Sequence, residues 1–436
     1  MSDRLILGEN VEFDTDERKT HINNNCCYIA ATGGGKTLNL VQPLLLYNED
    51  TNLIICDPKR ELVEKYRFYY ERKGVKVQEL NISNADYADV CFDHMHCVDS
   101  HKDVNVLARG IVDLTPQRPN SSADNYWENS SCNVVKFAIY YELAVSDNPG
   151  LADVVEFINN LEIDESHSLM STSVDSMVKN IIKRYPDHPL IAPYNSFKTT
   201  PIKTAGCIFS TIKTTLSNVF SEDVKKVMRE KPTLDLEDFV FGKNILFITA
   251  DGSDEYEDAL INLTFDMIIQ QLTKIADRQA DKKLPIPVHL IFDDFAAGTK
   301  ISSFPSQISK FRSKNMSSTI VLQSESQLEG LYGEADAKTI MNNNDTLVYL
   351  GGNDVNTARD IAVRLNAPIE DVLYMPLNQL FIFRRGQKPI IANKYNTLQD
   401  ERFIKLSRDY EEYIRNPKSF NMRQPEFNMN IFSTDI

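Results

Sequence analysis

Ala30-Ala31-Thr32-Gly33-Gly34-Gly35-Lys36-Thr37 is the stretch on which the reading of this chain turns. The run that leads into it, Cys26 to Ala30, is short, apolar and β-rich, and the residues from about Thr37 onward read as a helix. A glycine-rich loop between a strand and a helix, closing on Lys-Thr, is a phosphate-binding loop in the context such a loop requires. Three glycines let consecutive backbone N–H groups curl around a β-phosphate. Lys36 reaches the β and γ oxygens, and the Thr37 hydroxyl ligates Mg²⁺ at the positive end of the helix. Thr32, Gly33, Gly34, Gly35, Lys36 and Thr37 are therefore the expected nucleotide contacts, with ATP and Mg²⁺ as the cofactors they imply. Ala30 stands where such loops usually carry their first glycine.

Working outward, short apolar runs recur: Asn52 to Cys56, Lys76 to Ile82, Asn244 to Ala250, Val288 to Phe292, Ser318 to Gln323, Thr346 to Leu350 and Gln379 to Phe383. Each is followed by a segment of helical character. Strands buried on both faces look like this, so the chain is expected to be an α/β protein with a mostly parallel sheet covered by helices on both sides. The rhythm breaks between about residues 100 and 240. There Asp124 to Leu143, Gly150 to Leu161, Ser171 to Arg184 and Thr204 to Phe220 read as helices, which predicts an inserted all-α domain. The expected division is 1–100 for the first part of the nucleotide-binding domain, 101–200 for the insertion and 201–436 for the second part.

A phosphate loop needs a metal-orienting acid at the end of a neighbouring strand, and His289-Leu290-Ile291-Phe292-Asp293-Asp294 supplies one. Asp293 would hold the Mg²⁺ shell and Asp294 would polarise the attacking water. Asp294 is one methylene shorter than the glutamate more usual in that role. Gln323, at the end of its strand, would sense the γ-phosphate through its amide. Arg312, in an expected helix from Pro305 to Lys314, would reach the γ-phosphate of a neighbouring subunit as an arginine finger. The run Cys91 to Cys97, with His94 and His96, gathers possible metal ligands, but its spacing fits no zinc pattern and alternation along an extended segment would put the histidines and cysteines on opposite sides. A strand-edge or loop surface is the expectation there. No nucleophile elbow or Cys/His pair in a motif context supports covalent hydrolytic chemistry.

Composition narrows the function classes. Apolar residues make up 42% and charged residues 25% of the 436, which excludes a disordered or low-complexity chain. No apolar run reaches the ~18 residues that span a bilayer, so the chain reads as soluble. The seven cysteines form no CxxC pair and are expected to be reduced in a cytosolic setting. With 47 Lys/Arg against 62 Asp/Glu the net charge is −15, which weighs against nucleic-acid binding by the whole surface. Charge is segregated, however. Ser196 to Lys231 carries seven Lys/Arg against three acids, and His101 to Asn195 seven against thirteen.

Taken together, the phosphate loop, the strand and turn Leu53 to Leu62, the aromatic patch Asn125-Tyr126-Trp127 and the run from Ile291 to Gly351 resemble the coupling-protein ATPases of type IV secretion and conjugative DNA transfer. This is the TraG-like family, related to the motor ATPases FtsK and HerA. The last run, carried on to Asp354, reads FDDFAAGTKI, KFRSKN, VLQSESQLEGLYG and TIMNNNDTLVYLGGND in the family's order. The resemblance implies a RecA-like P-loop NTPase domain, a helical insertion acting as substrate receptor, and a ring, usually hexameric, with ATP at subunit interfaces. It implies as partners a relaxase with single-stranded DNA, or protein cargo, and the secretion channel components, at the inner face of the cell membrane. Family members usually carry N-terminal transmembrane helices, so the resemblance leads us to expect attachment to the membrane either through an anchor not included in these 436 residues or through a partner protein. Two alternatives accompany this reading. One is an ATP-gated receptor that hydrolyses little, suggested by Asp294 and the acidic insertion. The other is a double-stranded DNA pump, for which the basic stretch Ser196 to Lys231 is the candidate lining.

Overall fold

The computed structural model describes residues 4–114, 124–162, 171–250, 255–295 and 300–417. A hairpin opens the chain, with β1 (Arg4–Gly8) antiparallel to β2 (Val11–Asp14). The strands of the main sheet follow: β3 (Cys26–Ile29), β4 (Asn52–Cys56), β5 (Lys76–Asn81), β6 (Asn244–Thr249), β7 (Val288–Phe292), β8 (Met316–Leu322), β9 (Thr346–Tyr349), β10 (Gln379–Arg384) and β11 (Ile390–Asn393). They form one nine-stranded sheet in the order β11-β10-β9-β3-β8-β7-β4-β6-β5. The seven strands from β3 to β9 pair in parallel, and β10 and β11 add an antiparallel edge.

Side-chain alternation explains why these runs are apolar throughout. Tyr28, Ile55, Phe247, Ile291, Val321 and Val348 belong to one core, on the face that carries the helices Val63–Glu71 and Glu401–Arg415. Their neighbours Ile29, Ile54, Ile248, Phe292, Leu322 and Tyr349 belong to the core on the other face. Successive Cβ atoms point to opposite sides, so a strand between two cores has no polar face.

The expected strands are all present within a residue or two of the stated bounds. The sequence reading did not foresee the hairpin or β11, whose burial is mixed. It also did not foresee that the helix from Pro305 to Lys314 breaks into an α-turn, Phe304–Ile308, and a 3₁₀ turn, Phe311–Lys314.

Between β5 and β6 every described element is helical, from the 3₁₀ turn His94–Cys97 to the helix Leu236–Phe241. The helix Asp124–Val145 lies at the centre of this block and packs against His101–Asp113, Leu151–Asn160, Ile191–Thr199 and Ile202–Val219. The boundary expected at residue 200 thus falls between two helices packed on the same partner, and the packed block continues past it. These helices share their core with the sheet through the long helix Glu255–Arg278.

The segment Cys91 to Cys97 corrects the loop-surface expectation. Asp93 caps a 3₁₀ turn by accepting from the Met95 N–H, and His94, Met95 and Cys97 are buried. Helical rather than extended geometry separates His94 from the exposed His96. His94 stacks edge-on against Phe92 and shares a hydrogen bond of 3.2 Å with the Thr264 hydroxyl. Among the described residues no cluster of three or more His, Cys, Asp and Glu side chains is placed to hold a metal ion.

Candidate nucleotide site

The phosphate loop leaves the middle of the sheet at the C-terminal end of β3. Its ends are fixed by neighbouring strands: the Ala30 N–H donates to the Leu322 carbonyl and the Ala31 N–H to the Gly351 carbonyl, each at 3.0 Å. The turn closes with the Gly34 N–H on the Ala31 carbonyl at 2.9 Å. Gly33 and Gly35 have φ of 75° and 84°, a region in which side chains are strained. A Cβ on Gly35 would also collide with the Asn39 amide. The expected helix begins as a π-turn, Thr37–Val41, in which the Gln42 N–H reaches the Thr37 carbonyl. Pro43 follows, and its missing N–H removes the ordinary bond back to Asn39, which favours the wider turn there.

Strand order brings the acids to this loop. β8 separates β3 from β7, so residues just past β7 stand two strands from the loop at the same sheet edge. The Thr37 hydroxyl donates to Asp293 Oδ2 at 2.9 Å, and Lys36 Nζ forms an ion pair with Asp294. Burial raises the Asp293 pKa, while the Lys36 charge and the Thr37 hydrogen bond pull it down. Its second oxygen, Oδ1, is buried without a hydrogen-bond partner. Asp294 sits at φ 55°, in the left-handed region, where Asp is far better tolerated than Glu. That gives a local reason for an aspartate here. The Phe295 N–H then donates to the Val321 carbonyl at 2.9 Å and returns the chain to the sheet. Ala296 to Thr299, inside the FDDFAAGTKI run, lie outside the described residues.

Of the residues expected in the site, the structure brings Lys36, Thr37, Asp293 and Asp294 into contact. Gln323 emerges at the same edge from the end of β8, between loop and acids, with its side chain exposed. Arg312 lies elsewhere. Its turn precedes β8, at the opposite end of a strand that spans about 20 Å, and its guanidinium pairs with Glu17 at 3.4 Å. Within one chain it does not approach the phosphate loop.

The motif Asp57-Pro58-Lys59-Arg60 proves to be a helix cap. Asp57 accepts the N–H groups of Glu61, Leu62 and Val63 at 2.9–3.0 Å, and burial lifts its pKa to about 6 despite those bonds. Sequence reasoning missed two contributors at the loop. Lys394 Nζ donates to the Gly34 carbonyl at 2.9 Å, and the Thr397 hydroxyl donates to the Leu38 carbonyl. No motif surrounds them, so only the fold could reveal them.

Several cations of the basic stretch are occupied. Lys198 pairs with Asp175, Lys225 with Glu222 and Arg229 with Glu156. Tyr126 and Trp127 are exposed at the start of the helix Asp124–Val145. Among the described residues no helix is long and apolar enough to cross a membrane.

Comparison with known proteins places these features. The family model for type IV secretory system conjugative DNA transfer matches residues 5–366. No curated protein matches the chain. Among solved structures, the unbound bacterial conjugative coupling protein TrwBdeltaN70 superposes with a TM-score of 0.64 at 15% identity, covering 91% of this chain and 88% of that one. The plasmid coupling protein TrwB in complex with ADP and Mg²⁺ gives 0.61 at 15% identity, over 85% and 84%. VirB4 of Thermoanaerobacter pseudethanolicus gives 0.56 at 13% identity, over 90% and 96%. At these identities the shared property is the fold, a RecA-like nucleotide-binding sheet with a helical block.

Proposed function

The chain belongs to the type IV secretory system conjugative DNA transfer family, and from that premise we propose that it is a coupling ATPase that binds ATP with Mg²⁺ and hydrolyses it in a ring of subunits. The cargo would be relaxase-bound single-stranded DNA or a protein, handed by the helical block to the secretion channel at the inner face of the membrane. The observation that carries this reading is the meeting of Lys36 and Thr37 with Asp293 and Asp294 at one edge of the parallel sheet. TrwB, which shares the fold, has been seen with an ATP analogue and with ADP and Mg²⁺.

The residues present suit the cation. The Thr37 hydroxyl and the Asp293 carboxylate are adjacent, and Asp293 keeps one buried oxygen without a partner. When bound, Mg²⁺ neutralises charge on the β and γ phosphates. The chain's own groups would do the rest. Lys36 leaves Asp294 for the phosphate oxygens, and the inward N–H groups of the loop hold the β-phosphate. Asp294, released from Lys36, accepts a proton from the attacking water. Gln323 faces the γ-phosphate, and Arg312 of an adjacent copy stabilises the charge that develops on it.

One observation favours a second reading, an ATP-gated receptor with little turnover. Asp294 is held by Lys36, has a short side chain and sits on a left-handed backbone, all of which limit its reach to a water. The coupling reading is tested by transfer. Donor cells lacking the protein should regain conjugative transfer with the wild-type chain and not with Lys36→Ala. Restoration by Lys36→Ala would sink it.

A further inference from the structure

The antiparallel edge of the sheet delivers a lysine to the back of the phosphate loop. Lys394 directly follows β11, and its own N–H donates to the Asn378 carbonyl at 2.7 Å, which ties it to the start of β10. From there Nζ reaches the Gly34 carbonyl at 2.9 Å. Three residues later the buried Thr397 binds the Leu38 carbonyl in the first turn of the helix. Both residues lie beyond residue 366, where the family match ends. The Lys394 amine is half-buried, and among the described residues no carboxylate pairs with it. Burial holds its pKa below the usual lysine range.

Peptide geometry gives the contact a direction. The Gly34 carbonyl and the Gly35 N–H belong to one trans peptide unit and point opposite ways. The carbonyl faces Lys394. The Gly35 N–H meets no acceptor among the described residues and is one of the donors available to a phosphate in the cradle. A cation hydrogen-bonded to the carbonyl polarises the whole unit and makes its N–H a stronger donor. The geometry points to Lys394 as a positioning residue for the nucleotide's diphosphate: it acts through the Gly34–Gly35 peptide, holding the loop in its cradle form and strengthening the Gly35 N–H toward the β-phosphate. Lys394 does not touch the nucleotide itself. The inference rests on the ATP-binding reading above.

The test measures binding of a fluorescent ADP analogue with Mg²⁺ to the full chain, competition by inorganic pyrophosphate, and the thermal midpoint. The proteins are wild type, Lys36→Ala, Lys394→Met and Lys394→Arg. Lys394→Met should bind both ligands about tenfold more weakly, the loss of one charge-assisted hydrogen bond. Its midpoint should stay near that of wild type, and Lys394→Arg should return affinity to within about twofold, since Arg keeps both charge and donor. Unchanged affinity in Lys394→Met overturns the inference. So does a loss seen with the ADP analogue but absent with pyrophosphate, because the effect would then lie away from the phosphates. If Lys394→Met is poorly folded, the arginine variant decides: failure to restore pyrophosphate binding in a folded Lys394→Arg overturns the inference. Should wild type bind no better than Lys36→Ala, the ATP-binding reading itself has failed, and this inference falls with it.

Discussion

Replacing Asp294 by Asn should make the protein bind nucleotide more tightly and hydrolyse it more slowly. Lys36 and Asp294 form an ion pair in which the Lys36 side chain is 12% exposed and that of Asp294 38%. ATP must take Lys36 away from Asp294, so part of the binding energy is spent on breaking this contact. A hydrogen bond between charged groups contributes about 1.5–3 kcal/mol. Solvent access on the Asp294 side lowers that to about 1 kcal/mol. Removing the charge should therefore tighten binding about fivefold. Asn accepts the left-handed φ of 55° as readily as Asp does, so the loop should keep its shape. Turnover should fall by about 10²- to 10⁴-fold, the usual contribution of a general base. The assay is a titration with a fluorescent, non-hydrolysable ATP analogue beside steady-state phosphate release. Affinity equal to or weaker than wild type would refute the idea that Asp294 competes with nucleotide for Lys36. Wild-type turnover in the Asn variant would refute its role at the water.

Gly35→Ala should weaken nucleotide binding and cost about 1–2 kcal/mol of stability, because φ at 84° is strained for alanine and its Cβ meets the Asn39 amide; denaturant midpoints and nucleotide titration check both. His94 carries a pH signature. Burial pushes its pKa from 6.5 down to about 3, so it is neutral in the fold and takes a proton on unfolding as pH drops below 6.5. Between about pH 7.5 and about pH 5.5 this residue should remove about 1.4 kcal/mol of stability, and His94→Leu should flatten that part of the profile in urea titrations. Arg312 is remote from its own phosphate loop, so an Arg312→Ala chain mixed with a Lys36→Ala chain should regain some turnover at interfaces that join an intact loop to an intact arginine; a mixture as inactive as its components would exclude action between copies.

The sequence made the parallel strands legible because each is buried on both faces and bounded by turns. Asn52–Cys56 and Val288–Phe292 coincide with their expected bounds. The hairpin, β11 and the broken helix near Pro305 were harder to read. β2 and β11 have mixed burial rather than an apolar run, and what seats the hairpin lies far along the chain, as when the Glu9 N–H in its turn meets the Asn393 carbonyl at the end of β11. The same division runs through the site. Lys36, Thr37, Asp293 and Asp294 announce themselves by motif, since their chemistry needs a fixed local backbone. The left-handed backbone at Asp294 and the approach of Lys394 arise from tertiary placement, which no local spacing encodes. Cys91 to Cys97 misled because a 3₁₀ turn and an extended edge share the same residues, and what separates them is the Asp93 cap on the Met95 N–H together with the packing of His94 against Thr264.

The central claim is that these residues hydrolyse ATP between copies of the chain. Its most direct test is the steady-state ATPase rate of wild type and Lys36→Ala across a protein titration, with and without single-stranded DNA. The account predicts a rate per subunit that climbs cooperatively with protein concentration, rises with DNA and vanishes in Lys36→Ala. A rate per subunit that is independent of concentration, or one that persists in Lys36→Ala, would contradict it.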